Sequence, residues 1–198
     1  QGLGREWRFS ERIFYKTYPC CGAMQNGLGL FERIINDHNL KPGQIQEVTV
    51  VLNPLGELPA WKNPDVLSNV DIQFNTPFLY SLLAHRVEIG PMWQSEEIVH
   101  NDEIKKFTKK IKILTHLDKE AMGRPDVTVV TLNDKGKKVY SERGVSMAAE
   151  ISEEGLIDKF RRNVHGVIGG YKAEKAIDTI LRLENEDDIS TVMQFFVP

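Results

Sequence analysis

Two β-rich runs, DVTVVTL over residues 126–132 and KKVYSE over residues 137–142, flank the four residues NDKG at 133–136. Asn, Asp and Gly are the residues that tight hairpin turns favour, and β-branched runs on both sides are typical of paired strands. This pattern constrains the fold more than any other, because it commits the middle of the chain to an antiparallel pair of neighbouring strands. We therefore predict a β-hairpin over 126–142.

Helical and strand patterns alternate upstream of the hairpin. Apolar residues follow the spacing of one helix face over residues 22–38, namely Met24, Leu28, Phe31 and Ile35. Gly27 and Gly29 weaken this helix, so we expect a neighbouring group to pack closely against it. Strands are predicted near 46–53, where β-branched residues cluster, and near 110–115, where Lys and Ile alternate.

Only helical patterns follow residue 151. The chain is therefore assigned to the α+β class. We expect residues 1–150 to form a two-layer domain, in which a mostly antiparallel sheet carries helices on one face. Residues 151–198 are expected to form a C-terminal helical segment, which opens with Ser152 as an N-cap and an acidic first turn.

Composition excludes several classes of function. The net charge of −3 disfavours a general nucleic-acid binder, because phosphate contacts need a dominant basic face. No apolar run approaches the roughly 18 residues of a membrane span, and the first residues lack the apolar core of a secretion signal. We expect a cytoplasmic protein with no nucleic-acid or membrane partner. Gln1 stands where an initiator Met would be, so we expect the chain to be part of a longer protein.

The two cysteines are adjacent, Cys20 and Cys21, and this arrangement has three explanations: a disulfide, a metal site or a reactive group. A disulfide between neighbours closes a strained ring and cross-links nothing. Zinc needs further ligands, and the five histidines show neither an HExxH pattern nor a His-x₃₋₅-His pair. We therefore expect reduced thiols, no metal and no cofactor.

The surroundings of these thiols leave two interpretations open. Lys16 precedes them in an extended YKTYP segment, and the predicted helix begins around Gly22. A helix N-terminus and a nearby ammonium both lower the pKa of a thiol, which favours reactivity. An unpaired thiol is also commonly a small buried apolar group.

The order of motifs resembles the C-terminal region of the MmgE/PrpD family, which includes 2-methylcitrate dehydratase, cis-aconitate decarboxylase and iminodisuccinate epimerase. The run YKTYPCCGAMQNGLGLFERI is similar to the family's Lys-x-Tyr/Phe-Pro-small-Cys/His segment and the helix after it. Three later segments are similar to a family helix, its hairpin and its Lys-Phe-Arg motif: DIQFNTPFLYSLLAHR, DVTVVTLNDKGKKVYSERG and EEGLIDKFRRN. The resemblance covers essentially the whole chain.

The resemblance implies a fold and a partner. Residues 1–150 resemble the family's α+β lid, which closes over the substrate. Residues 151–198 resemble the helices that pack on a large helical domain, which is absent from this chain. The resemblance implies a homodimer built mainly through that helical domain.

The resemblance also implies a site. Lys16 matches an active-site lysine that holds a substrate carboxylate, and Gly22 begins the helix whose N–H groups favour an anion. Cys21 falls where cis-aconitate decarboxylase has a catalytic histidine. Gln25 falls where many members have another histidine. We therefore name Lys16 and Cys21 as catalytic candidates and Lys16, Gly22 and Gln25 as substrate-binding candidates.

The function implied is that of a cofactor-independent lyase, a dehydratase or decarboxylase of a small di- or tricarboxylic acid, to which this chain supplies the lid side of the active site. Because Cys21 and Gln25 depart from the family's histidines, two alternatives stay open. One is an epimerase or isomerase of a similar acid, with Cys21 as one of two bases. The other is a non-catalytic binding domain.

Overall fold

A computed structural model describes residues 4–5, 15–63, 66, 68–117, 125–132, 139–144 and 151–197 of the chain. The chain forms two compact units, Gln1–Glu150 and Ile151–Pro198. The predicted turn at 133–136 lies outside the described residues. The two strands that flank it are described, and they pair as the sequence predicts.

The described residues of the first unit form a sheet and a layer of helices. The strands are β1 (Ile45–Leu52), β2 (Ile111–Thr115), β3 (Asp126–Leu132) and β4 (Val139–Gly144). The helices are α1 (Gln25–Asp37), α2 (Pro59–Lys62), α3 (Asn69–Ile72), α4 (Thr76–Ala84), α5 (Glu96–Val99) and α6 (Asp102–Thr108). Asn101 caps α6, because its side chain accepts hydrogen bonds from the N–H groups of Glu103 and Ile104. The predicted α+β class is confirmed.

The four strands lie in the order β2-β1-β3-β4. The β1–β3 and β3–β4 pairs are antiparallel, whereas β1 and β2 are parallel, with Val48 opposite Ile111. A parallel pair needs a long crossover connection, which residues 53–110 supply with α2 to α6. The sheet is thus mostly antiparallel, as predicted, with one parallel edge strand.

The helices cover one face of the sheet. Val48, Val50 and Leu52 alternate along β1 and are buried, because residues two apart on a strand share a face. Helix α1 packs against β3, β4 and α4 on this face. The start of α1 is tied to the sheet by Asn26, whose Nδ2 donates to Gly144 O at 2.7 Å and to Asp126 Oδ2 at 3.1 Å.

The two glycines of α1 have different surroundings. A Cβ on Gly27 would lie 2.5 Å from Tyr80 Oη, and Tyr80 is itself buried in α4. A Cβ on Gly29 would meet its nearest atom, Tyr18 Oη, at 3.8 Å, which is an ordinary van der Waals contact. The predicted close approach is therefore confirmed at Gly27, where α1 and α4 meet.

The second unit is helical among its described residues. It contains α7 (Glu153–Val164), α8 (Gly170–Ile180) and α9 (Ser190–Met193). Ser152 caps α7 as predicted, with its Oγ accepting from the N–H of Gly155 at 3.1 Å. Among the described residues of this unit few are buried, and none of these is aromatic: Ile168, Ala173, Ala176, Ile177 and Val192.

Candidate functional site

The segment 16–21 is attached to the start of α1 by the side chain of Gln25. The Oε1 of Gln25 accepts from the Tyr18 N–H at 3.0 Å, and its Nε2 donates to the Tyr18 carbonyl at 3.0 Å. The same Nε2 donates to Cys20 Sγ at 3.2 Å. Gln25 is 9% exposed, so these bonds are shielded from water. One carboxamide thus binds both backbone groups of Tyr18, as a neighbouring strand would.

The side chain of Tyr18 is held at two further points. Its hydroxyl donates to Glu32 Oε2 at 2.6 Å, and Glu32 follows Gln25 by seven residues on α1. Its ring stacks on Trp93, with centroids 5.8 Å apart and planes 14° from parallel. Burial, and then the bond to Glu32, raises the pKa of the Tyr18 phenol well above its usual range, so the hydroxyl keeps its proton and acts as a donor.

Cys20 is a buried, neutral thiol. Burial raises its pKa to about 12, and the neighbouring Cys21 adds to the rise. The charge of Lys16 and the hydrogen bond from Gln25 lower the pKa, but burial dominates. Because the thiolate is the nucleophile, a thiol with this pKa is inert near neutral pH. Cys20 therefore matches the interpretation of a small apolar core residue.

Cys21 lies at the junction between this segment and the helix. Its N–H donates to the Gln73 carbonyl at 2.9 Å, and its own carbonyl accepts from the Met24 N–H at 3.1 Å. A single 3₁₀ turn, Gly22–Met24, follows it and leads into α1. Cys21 and Gly22 are half-buried, in contrast to Cys20. Both cysteines are free thiols. Of the two, Cys21 is the one that solvent can reach.

Lys16 is exposed, and its charge acts on the thiol of Cys20. The structure therefore brings four sequence-predicted residues into one short region. Lys16 is at one end of the anchored segment, Cys21 and Gly22 are at the other, and Gln25 supplies the anchor. Their roles as catalytic or substrate-binding residues stay predictions.

Three residues of this region were not identified from the sequence as parts of the candidate site. Tyr18, Glu32 and Trp93 hold the segment through side-chain contacts that span up to 75 positions of the chain. Trp93 is fully buried and its Nε1 donates to the Val87 carbonyl at 3.2 Å. The spacing of Tyr18, Gln25 and Glu32, each seven residues from the next, is the only sequence signal that could have linked them.

In the part of the chain that the structure describes, no group of three or more His, Cys, Asp or Glu side chains has the geometry to hold a metal ion. In the same residues, every helix is too short or too polar to cross a bilayer.

Comparison with known proteins places the chain in a family. A family model described as the MmgE/PrpD C-terminal domain matches residues 18–185. This range includes Cys21, Gly22 and Gln25 and extends from the first compact unit into the second. A search of curated proteins gave no match.

Proposed function

The chain belongs to the MmgE/PrpD family, and on that premise we propose that it is the lid side of a lyase active site. The substrate is a small di- or tricarboxylic acid. The reaction is a dehydration or a decarboxylation. In the dehydration a base abstracts a proton from the carbon next to a carboxylate, and the hydroxyl leaves as water with a proton from an acid; in the decarboxylation CO₂ leaves and the carbanion left behind takes up a proton. The electron pair of the broken C–H bond forms the carbon–carbon double bond in the dehydration.

The observation that carries this proposal is the anchoring of residues 16–21. The segment holds a cation, Lys16, close enough to affect the Cys20 thiol, and it ends in the half-exposed Cys21 and the first turn before α1. An ammonium stabilises a substrate carboxylate and the negative charge that develops beside it on proton loss. Cys21 is the group of this segment that accepts the proton.

The same proposal includes partners and location. Further acid–base residues come from a helical domain, on which residues 151–198 pack, and the enzyme is a homodimer. We assign it to the cytoplasm, because free adjacent thiols are typical of a reducing compartment.

The test is kinetic and uses the complete protein. Wild-type enzyme is assayed with 2-methylcitrate, cis-aconitate and iminodisuccinate. Lys16→Ala is expected to lower kcat/KM about tenfold to a hundredfold on the accepted substrate, because one charge-assisted contact is lost. Cys21→Ser is expected to lower kcat with little change in KM.

Two controls accompany these variants. Lys112→Ala removes an exposed lysine from β2 and is expected to keep wild-type kinetics. Cys20→Ala tests the buried thiol and is expected to affect stability more than rate. Wild-type kinetics in Lys16→Ala would show that Lys16 does not bind the substrate and that the active site lies elsewhere. Turnover of iminodisuccinate without water or CO₂ loss would favour an epimerase, and no turnover of any of the three acids would contradict the proposal.

A further inference from the structure

The hydrogen bonds of Gln25 are directed inward. A carboxamide has two N–H donors and one oxygen acceptor. Its nitrogen donates to the Tyr18 carbonyl and to Cys20 Sγ, and its oxygen accepts from the Tyr18 N–H. Both donors are therefore engaged within the chain. A residue in this state is suited to hold the protein rather than a ligand.

We propose, on the premise of the function above, that Gln25 is a positioning residue that acts through Tyr18 and does not touch the substrate. Tyr18 lies between Lys16 and Cys21 in the chain. By fixing both backbone groups of Tyr18, Gln25 fixes the path of the chain toward both candidate catalytic groups. Glu32 assists it by fixing the phenol of the same residue.

The physical gain is preorganisation. A loop that is ordered only on binding loses conformational entropy at that step, whereas an anchored loop has already lost it on folding. Tyr18 is 3% exposed, so removal of the Gln25 amide would leave its N–H buried without that acceptor, and its carbonyl would keep only the bond from the Cys20 N–H at 2.8 Å. The segment would then shift, and a displacement of about 1 Å at catalytic groups can reduce a rate about a hundredfold.

The contacts distinguish this role from direct substrate binding. If Gln25 acts through Tyr18, the hydrogen bond from the Tyr18 hydroxyl to Glu32 also helps to position Lys16 and Cys21. Loss of that bond should then lower the rate, even though the buried Tyr18 does not contact the substrate. Tyr18→Phe removes that contact and keeps the ring that stacks on Trp93. If Gln25 binds substrate directly, Tyr18→Phe has no reason to affect catalysis.

The kinetic experiment compares Gln25→Ala and Tyr18→Phe in the complete enzyme, each with and without Lys16→Ala. Positioning predicts that kcat/KM falls about tenfold to a hundredfold in Gln25→Ala and about threefold to tenfold in Tyr18→Phe. Both effects shrink in the Lys16→Ala background, because one of the two groups that they position is gone. Gln44→Ala is the matched control, since Gln44 is an exposed glutamine whose side-chain oxygen accepts from the Lys41 N–H at 2.8 Å.

Three kinetic outcomes overturn the positioning role. One is wild-type kcat/KM in Gln25→Ala. A second is a full loss in Gln25→Ala with wild-type kcat/KM in Tyr18→Phe, which indicates direct contact with substrate. The third is a Gln25→Ala effect that is equally large with and without Lys16.

Amide hydrogen exchange tests the anchor without any substrate. The Tyr18 N–H is expected to exchange at least about tenfold faster in Gln25→Ala than in wild type, while amides of β1 keep their protection. Equal exchange of Tyr18 in the two proteins overturns the proposal, whatever the kinetics. Protection that depends on Gln25, in an enzyme inactive on all three acids, overturns the proposed lyase function and upholds the anchoring of residues 16–21.

Discussion

The two compact units differ in how they bury apolar side chains. In the first unit, Phe31 is fully buried and belongs to a continuous core that runs through α1, α4 and the helical face of the sheet. In the second unit, α7 has no buried residue at all, and Tyr171 on α8 is 76% exposed. Several other large apolar residues of this unit are also exposed: Val167, Ile180, Leu181, Leu183, Ile189, Met193, Phe196 and Val197.

This contrast indicates where each unit gets its stability. The first unit has a core of its own, whereas the second consists of helices of 12 residues or fewer. Isolated helices of that length are marginal in water, and helices in proteins depend on packing of their apolar face. The exposed apolar side chains of this unit are available for packing against another surface. The second unit therefore fits the proposed role of a segment that packs on another domain.

The sharpest test of the contrast is a pair of aromatic truncations. Phe31→Ala removes a ring that contacts Tyr80 at 5.2 Å between centroids, and we expect it to lower the free energy of unfolding by about 3–5 kcal/mol. Tyr171→Ala is expected to change it by less than about 0.5 kcal/mol. Urea unfolding of both variants measures the difference. Similar losses in the two would show that α8 has a covered face after all.

The second test compares glycines. Gly27→Ala forces a methyl group to 2.5 Å from Tyr80 Oη, which is buried, so we expect a loss of about 1–3 kcal/mol. In a Tyr80→Phe background the oxygen is gone, and Ala is then expected to stabilise the helix by up to about 1 kcal/mol. Gly170→Ala, which has open space around its added Cβ, is the control in the second unit. The same sign for Gly27→Ala in both backgrounds would contradict the steric explanation.

The third and smallest test compares aspartates. Burial raises the pKa of Asp126 to about 6, against the hydrogen bond from Asn26 and the charge of His116, which lower it. Its folded-state pKa exceeds the ordinary value of 3.8, so its ionisation destabilises the fold as the pH rises from about 4 through 6. Asp126→Asn is expected to raise stability by about 1–2 kcal/mol near pH 8 and to have no such effect below about pH 4.

The control for that test is Asp188, whose pKa is shifted in the opposite direction from that of Asp126. The backbone N–H and side chain of Ser190 lower the pKa of Asp188 in the second unit. The contribution of Asp188 to the free energy of unfolding is therefore present at pH values above its ordinary pKa. It is lost as the pH falls through the lowered folded-state pKa. Asp188→Asn should weaken the second unit at neutral pH and not at acid pH. Thermal unfolding across this pH range checks both signs, and a pH-independent Asp126→Asn effect would contradict the assignment.

The elements that the sequence predicts well are those with strong local signals. The limits of β1 and β3 and the stripe of α1 follow from β-branched runs and from the spacing of Met24, Leu28, Phe31 and Ile35. The parallel pairing of β1 with β2 was not predictable, because it depends on how the helices between them pack. The partners of Gln25 were missed because the path of a segment outside helices and strands has no periodic sequence signal. Its position suggested substrate binding by analogy, whereas its hydrogen bonds depend on the path of Tyr18.

The parallel β1–β2 pair has a consequence for the kinetics of folding. β3 and β4 are near neighbours in the chain, so their pairing closes a short loop, whereas Val48 meets Ile111 only after residues 53–110 have been arranged. Contacts of such sequence separation slow the search for the native state. We expect β2 to join last, which leaves the outer edge of β1 unpaired in the interim. An unpaired edge of this kind is a template for intermolecular strand addition. The nascent chain is therefore most prone to aggregate before α2 to α6 have packed and brought β2 into place.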